Sequence, residues 1–239
     1  MTSSSKSSAT IFGCLFFAAI VAFGYQIQQT AINYKLLDRT VTVKGLAEQE
    51  FAADTVIWPI QFTAASNDLD AIYLQIDKQS QQVKQFLLAQ GLPEASVTIS
   101  PPSVNDKLAQ QYGNGGPTEF RYTALQTITV YTQQIDVARA AISQLSQLGK
   151  QGIVFAQNNY DMRIEYIFSK LNDVKPQMVE ESTKNARIVA QKFATDSDSQ
   201  LGKIKRARQG QFSISNRDKN TPHIKRVRVV STVEYYLAD

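Results

Sequence analysis

One stretch, Ile153 to Leu201, restricts the folds open to this chain more than any other, because it runs an alternating segment directly into a long amphipathic one. Ile153, Val154 and Phe155, then Met162, Ile164, Tyr166 and Phe168, alternate with polar neighbours, the period of a half-buried strand. Val179, Thr183, Ala186, Ala190, Phe193 and Ala194 then recur at helical spacing among Glu, Lys, Arg and Gln. Asn172 and Asp173 are the N-cap candidates. Pro176 is expected in the first turn, where a missing N–H costs little. The small stripe Ala186, Ala190 and Ala194 lets this helix lie close on a sheet, and Leu201-Gly202 is expected to end it with a left-handed glycine. The stretch predicts one β-α unit of a two-layer core. It carries no reactive side chain.

The remaining elements follow the same logic. Thr40 to Lys44 alternates and reads as a first strand stopped by Gly45. Thr55 to Thr63 is a second, with Val56, Trp58, Ile60 and Phe62 on one face and Pro59 on the other, where proline argues for an edge or a bulge. Asn67 and Asp68 open a helix with Leu69, Ile72, Ile76, Val83, Phe86 and Leu87 inward, closed by Gly91-Leu92-Pro93. Val97 to Ser100 is a short strand, and a loop is expected from there to Pro117. Phe120 to Thr132 is a long strand. A helix follows with Ile135, Ala138, Ile142, Leu145 and Leu148 inward, closed by Gly149 and Gly152. Two strands, Ile204 to Ile214 and Ile224 to Leu237, finish the chain. Strands therefore come in pairs or singly between three main helices. That order predicts an α+β fold of mostly antiparallel sheet, and 43% hydrophobic content over 239 residues suffices for one core or two small ones.

The amino terminus is different in kind. Residues 1–10 are polar, whereas 11–25 carry no charge and are mostly apolar. At about 1.5 Å rise per residue, crossing a bilayer core of about 30 Å needs about 20 residues, which the segment reaches when extended over 11–32. Two readings stand: an uncleaved signal anchor, and a signal peptide cut before Tyr25, for which Ala22 and Gly24 are suitably small. The anchor is favoured, since the first residues are weakly basic and apolar residues continue to Ile32. Residues 33–39 are then a linker, and 40–239 a domain most simply placed on the exported side of a membrane.

Chemistry is scarce. One Cys (Cys14) and one His (His223) exclude an intramolecular disulfide and a Cys/His zinc cluster within one chain. His223 sits beside Lys225 and Arg226, a setting that disfavours its protonated form, and it reads as a surface loop residue. Glu180 and Glu181 point about 100° apart on a helix and read as a solvated face. Gly113, Gly115 and Gly116 lack the Gly-Lys-Ser/Thr ending of a phosphate loop. No catalytic, cofactor-binding or metal-ligating residue is assigned. The charged feature with shape is the basic carboxy-terminal hairpin, where Arg206, Arg208, Lys225, Arg226 and Arg228 are the candidate contacts for anionic lipid or an acidic envelope partner. With a formal charge of only +4 and an exported domain, nucleic acid is not the expected partner.

These segments resemble the SIMPL-domain family, formerly a domain of unknown function. Thr40-Val41-Thr42-Val43-Lys44-Gly45-Leu46-Ala47-Glu48 looks like its opening strand, and Asp54 matches the acid that follows. Phe120 to Ala124, Gly152 to Phe168 with Ala186, Ala190 and Leu201-Gly202, and the closing strand Val227 to Leu237 are similar to its later motifs. Glu180-Glu181-Ser182-Thr183 departs from it, standing where an alanine-rich helix start is expected. The resemblance implies a bacterial envelope protein without catalytic residues or cofactor, forming a homo-oligomer that is ring-like in some members. It also implies a link of some members to oxidative-stress defence. The expectation for this chain is a non-enzymatic scaffold, anchored in the inner membrane through 11–32 with its domain in the periplasm.

Overall fold

The computed structural model describes residues 13, 16–30, 39–109, 119–156 and 163–238. From residue 39 onward the fold is α+β, with two antiparallel sheets and, among the described residues, four α-helices where three were expected. The chain divides into two compact units. One is built from the described parts of Met1–Glu48, Lys175–Ser213 and Arg228–Asp239, the other from Gln49–Val174 and Ile214–Val227.

The second unit holds the larger core. Its central strands are β2 (Thr55–Ser66) and β5 (Tyr122–Thr132), antiparallel in unbroken register from Val56↔Thr132 to Ser66↔Tyr122. β3 (Val97–Ile99) and β4 (Ser103–Asp106) pair with the far edge of β5, while β6 (Val154–Phe155) and β7 (Glu165–Ile167) pair with β2. Strand alternation sends Val56, Trp58, Ile60 and Phe62, with Ala124, Ile128 and Val130, to one face. There they meet Ile72, Ile76, Val83 and Leu87 of α1 (Leu69–Ala89), together with Ala138 and Ala141 of α2 (Ile135–Gln144) and Leu148 of α3 (Ser146–Lys150). Each fully buried aliphatic side chain here is worth about 1.5–3 kcal/mol. Asp68 caps α1 by accepting from the Ala71 N–H at 2.8 Å. At the other end Gly91 takes φ 92° and the Leu92 N–H donates to Leu87, a Schellman closure.

The first unit sets one helix on a smaller sheet. Its strand order is β1 (Thr40–Ala52), β10 (Ile224–Ala238) and β8 (Gln200–Gln209), with β9 (Ser213–Asn216) also pairing with β10. The helix α4 (Leu171–Asp196) buries Met178, Ser182, Ala186, Ala190 and Ala194, one residue every four. Val43, Val233 and Tyr235 complete this core. A buried hydroxyl pair, Ser182 and Ser231 at 2.6 Å, ties α4 to β10, and Ser182 passes its own proton on to the Val179 carbonyl.

Several expectations are corrected. The alternating segment Ile153 to Phe168 is not one strand. It supplies two short ones, β6 and β7, that pair with separate parts of β2, and Met162 lies outside the described residues. Pro59 lies within β2, between the residues that pair with β7 and those that pair with β6. The Gln61 carbonyl accepts from the Ala156 N–H, so Pro59, two residues earlier, also turns its missing donor to that side, at a point neither β6 nor β7 covers. The expected loop after Ser100 contains β4, while Gly113, Gly115 and Gly116 lie outside the described residues. The expected second helix breaks at Leu145, where tight i→i+3 bonds (Leu145 N–H to Ile142, Leu148 N–H to Leu145) turn the chain into α3.

Gly45 does not stop β1. It lies inside the strand, where a Cβ would fall 1.8 Å from the Ser182 carbonyl oxygen. Helix α4 begins at Leu171, before the expected caps, so Pro176 falls in its second turn. It ends on Asp198 at φ 51° with Ser199 donating to Ala194, and Gly202 lies instead in β8 against Tyr236. Phe193, expected inward, is 55% exposed, while Met178 and Ser182 take the buried positions. Residues 16–30 are helical, but the proposed span 11–32 extends outside the described residues. Among those described, no helix is long and apolar enough to cross a membrane.

Candidate functional site

The five basic residues of the carboxy-terminal hairpin do not form one stripe. On β10 the odd positions point inward, and Lys225 is one of them: it is only 9% exposed, and its ammonium donates to the Asn216 side-chain oxygen. Burial lowers its pKa against the opposing pull of Glu165. Lys225 is therefore a structural cation, which corrects its place among the surface contacts. Arg226 is half-buried and donates to the Arg217 carbonyl at 3.4 Å.

The other three lie in the first unit. Arg206 and Arg208 of β8 stand opposite Glu234 and Thr232 of β10, and strand alternation puts both on the outward face with Arg228. Acids interrupt the charge. Arg228 lies 3.9 Å from Glu48 of β1, and Lys205, the extra residue of a β-bulge, lies 3.6 Å from Glu234. Arg228 is four residues along β10 from the position opposite Arg208, roughly 14 Å at strand rise. What remains is the exposed pair Arg206 and Arg208, neither with an ion-pair partner among the described residues.

His223 lines a cleft of ≈ 390 Å³ with Ala52, Ala53, Gln133, Gln134 and Ile135, and Tyr166 meets its ring edge-on at 6.0 Å. Burial lowers its pKa. Arg139 and Arg217 lower it further, against Asp136 and Asp218, so the imidazole is held neutral. The repelling cations are thus not the sequence neighbours Lys225 and Arg226. Among the described residues no serine, threonine or cysteine lines this cleft as a nucleophile paired with the imidazole would. Glu180 bonds Lys184 at 2.6 Å along the exposed side of α4. Among the described residues no three acidic, histidine or cysteine side chains converge in a way that could hold a metal ion.

Two parts of the sequence motifs, Asp54 and a whole strand, have roles that the sequence did not announce. Asp54 accepts from the Ser169 N–H at 2.6 Å, the Ser169 hydroxyl at 2.9 Å and the Lys170 N–H at 3.3 Å, holding the turn that starts α4. Its own N–H donates to Ile167, so it grips both β7 and the helix start. Burial pushes its pKa up, but these donors together with the Thr55 hydroxyl outweigh it and hold the carboxyl below its ordinary value. The other is β1 itself. At its two ends the Arg39 carbonyl accepts from Leu237 of β10 and the Ala53 N–H donates to His223, just before β10, so the odd residues of β1 face β10 and the even ones face away. Leu46 fits this parity, its carbonyl accepting from the Asn185 amide at 2.8 Å on the outer edge. No strand pairs with that edge among the described residues.

The profile of the SIMPL family, described as "Protein of unknown function (DUF541)", matches residues 41–233, a span that runs from β1 to β10. No curated protein matches the chain. With four-fifths of its residues under one family profile, this chain belongs to the SIMPL family.

Proposed function

We propose that this SIMPL-family protein is a non-catalytic scaffold of the bacterial envelope, held at the inner membrane by residues 11–32 and self-associating through its periplasmic domain. The observation that carries this reading is the outer edge of β1, where Asn185 reaches the Leu46 carbonyl but no described strand pairs. An edge strand of thirteen residues, paired on one side only, is a template for another strand, and natural proteins ordinarily blunt such edges. Anchoring many copies in one membrane raises their local concentration, so a modest contact suffices. Full-length protein in detergent is expected to sediment as a homo-oligomer at micromolar concentration; a monomer there rejects the reading. Lys44→Pro tests the edge itself. It removes an N–H that points away from β10, so the fold should persist while strand pairing between copies is lost. Unchanged mass in this variant would remove the edge as the contact.

A second reading rests on Arg206 and Arg208: the basic edge of β8 docks on anionic lipid or an acidic envelope partner. At about 1 kcal/mol per cation near an anionic surface, Arg206→Glu with Arg208→Glu should weaken co-sedimentation with phosphatidylglycerol vesicles more than tenfold. Equal binding by the variant would dismiss it.

A further inference from the structure

Among the described residues, the three helices of the second unit, α1, α2 and α3, all pack on the side of its sheet that carries Trp58 and Ile128. The opposite face is set by the register. Its central rows are Ala65 beside Thr123, Thr63 beside Leu125, Gln61 beside Thr127, Pro59 beside Thr129 and Ile57 beside Tyr131. None of these ten residues carries a charge. Val154 extends one row on β6 and Thr98 another on β3, and the first charge appears at the margin, on Glu165 of β7. Most of these side chains are partly exposed, Tyr131 and Val154 more than half so, while Gln61 in the central row is buried. The outward face of the other sheet is the internal contrast: Lys44, Glu48, Arg206, Arg208, Arg228 and Glu234 all project from it. A sheet face meant for water reads like the second, not the first.

We propose that this uncharged face is a contact between two copies of the chain, packed sheet on sheet about a two-fold axis. The proposal rests on the self-association reading above and adds a second contact to the β1 edge. Size supports it. Eleven residue pairs along β2 and β5, with the short flanking strands making the sheet about three abreast at about 4.8 Å, give a face of roughly 550 Å², or roughly 1,100 Å² for two, just above the roughly 1,000 Å² a biological interface needs. Chemistry supports it too. A two-fold contact sets the same patch against itself, so any charge within it would meet its like, and this patch has none. Thr63, Thr123, Thr127 and Thr129 bring hydroxyls that serve equally as donors and acceptors across such an axis. A membrane surface is the poorer occupant, because the face has no Trp, Lys or Arg to seat among headgroups. With two distinct contacts per copy, assembly can proceed past a dimer.

The test uses the full chain in detergent with Cys14→Ser, which leaves no native thiol. Thr127→Cys, at the middle of the face, should be joined into covalent dimers by a short bis-maleimide. Ile188→Cys, exposed on α4, should not. Leu125→Glu with Thr127→Glu buries like charges in the contact and should weaken association roughly 100-fold or more, leaving the smaller species that the β1 edge holds. Absent or equal cross-linking at the two positions, with wild-type mass in the glutamate variant, overturns the face while the self-association reading stands. A monomeric wild type removes both. Should the glutamate variant lose its circular-dichroism signal, the cysteine comparison decides alone.

Discussion

Asp54 shows what one carboxylate does when it serves a helix that begins more than a hundred residues later. Its acceptors are filled by the Ser169 N–H and hydroxyl, the Lys170 N–H and the Thr55 hydroxyl. The helix start also favours negative charge through its dipole. Asp54→Ala should therefore cost about 1–2 kcal/mol, the usual loss for a helix-terminal cap, measured by urea denaturation at pH 7. The sign with pH follows from the direction of the shift. A folded carboxyl held below its unfolded value contributes fully above the unfolded pKa of about 3.9, and that contribution is lost as pH falls through the folded value. The gap between wild type and Asp54→Ala should accordingly shrink below about pH 4; a constant gap across the acid range would mean that ionised Asp54 is not what holds the turn. Lys225 teaches the complementary lesson. Arginine and lysine counts along a strand do not say which face each residue takes, and one step of register put this lysine inside.

At the scale of elements, β1 and α4 meet at very short range. The buried positions of α4 are Met178, Ser182, Ala186, Ala190 and Ala194, and opposite them Gly45 brings backbone against backbone. A Cβ at Gly45 would lie 1.8 Å from the Ser182 oxygen and 2.4 Å from the Ala186 nitrogen, so helix or strand must move to admit it. Gly45→Ala should destabilise by about 3 kcal/mol or more, at the upper end for overpacked contacts, as read from the denaturation midpoint. A change below about 0.5 kcal/mol would show the helix free to withdraw. The alanine stripe and its spacing were plain in the sequence because helical periodicity is local. The glycine's role was not. It depends on which helix arrives over it, and glycine within a strand signals a stop and a close approach alike. The same limit split the alternating segment after Ile153, since period-2 patterning marks the burial of a strand but not how many partners share it.

For the whole molecule, the two units are unequal in how the chain builds them. Every residue of the large core from Val56 to Ile153 lies within one continuous stretch, whereas the other unit is gathered from three. A fragment of residues 49–174 should thus fold by itself, with mixed helix and strand circular dichroism and a single cooperative urea transition. It lacks only 214–227 of its unit. Non-cooperative unfolding would show that the returning segment is needed to close the core. The larger core, the antiparallel α+β character and most strand positions were legible in the sequence, as was the inward face of α1. The candidate surfaces were less so. The basic hairpin was visible as composition, yet pairing with Glu48 and Glu234 and the burial of Lys225 reduced it to Arg206 and Arg208.

What the amino-acid sequence determined by itself is what neighbours along the chain decide: the periods of α1 and α4, the alternation of β2, β5 and β10, and the closure of α1 at Gly91. Hydrophobic burial is cooperative over one turn or one pleat, so those patterns can be read without a partner in view. Only the tertiary structure decided which faces and edges were left uncovered. The outer edge of β1 has no described strand paired with it, and the face across β2 and β5 lies opposite the helices of its own unit; both follow from contacts between residues far apart in the chain.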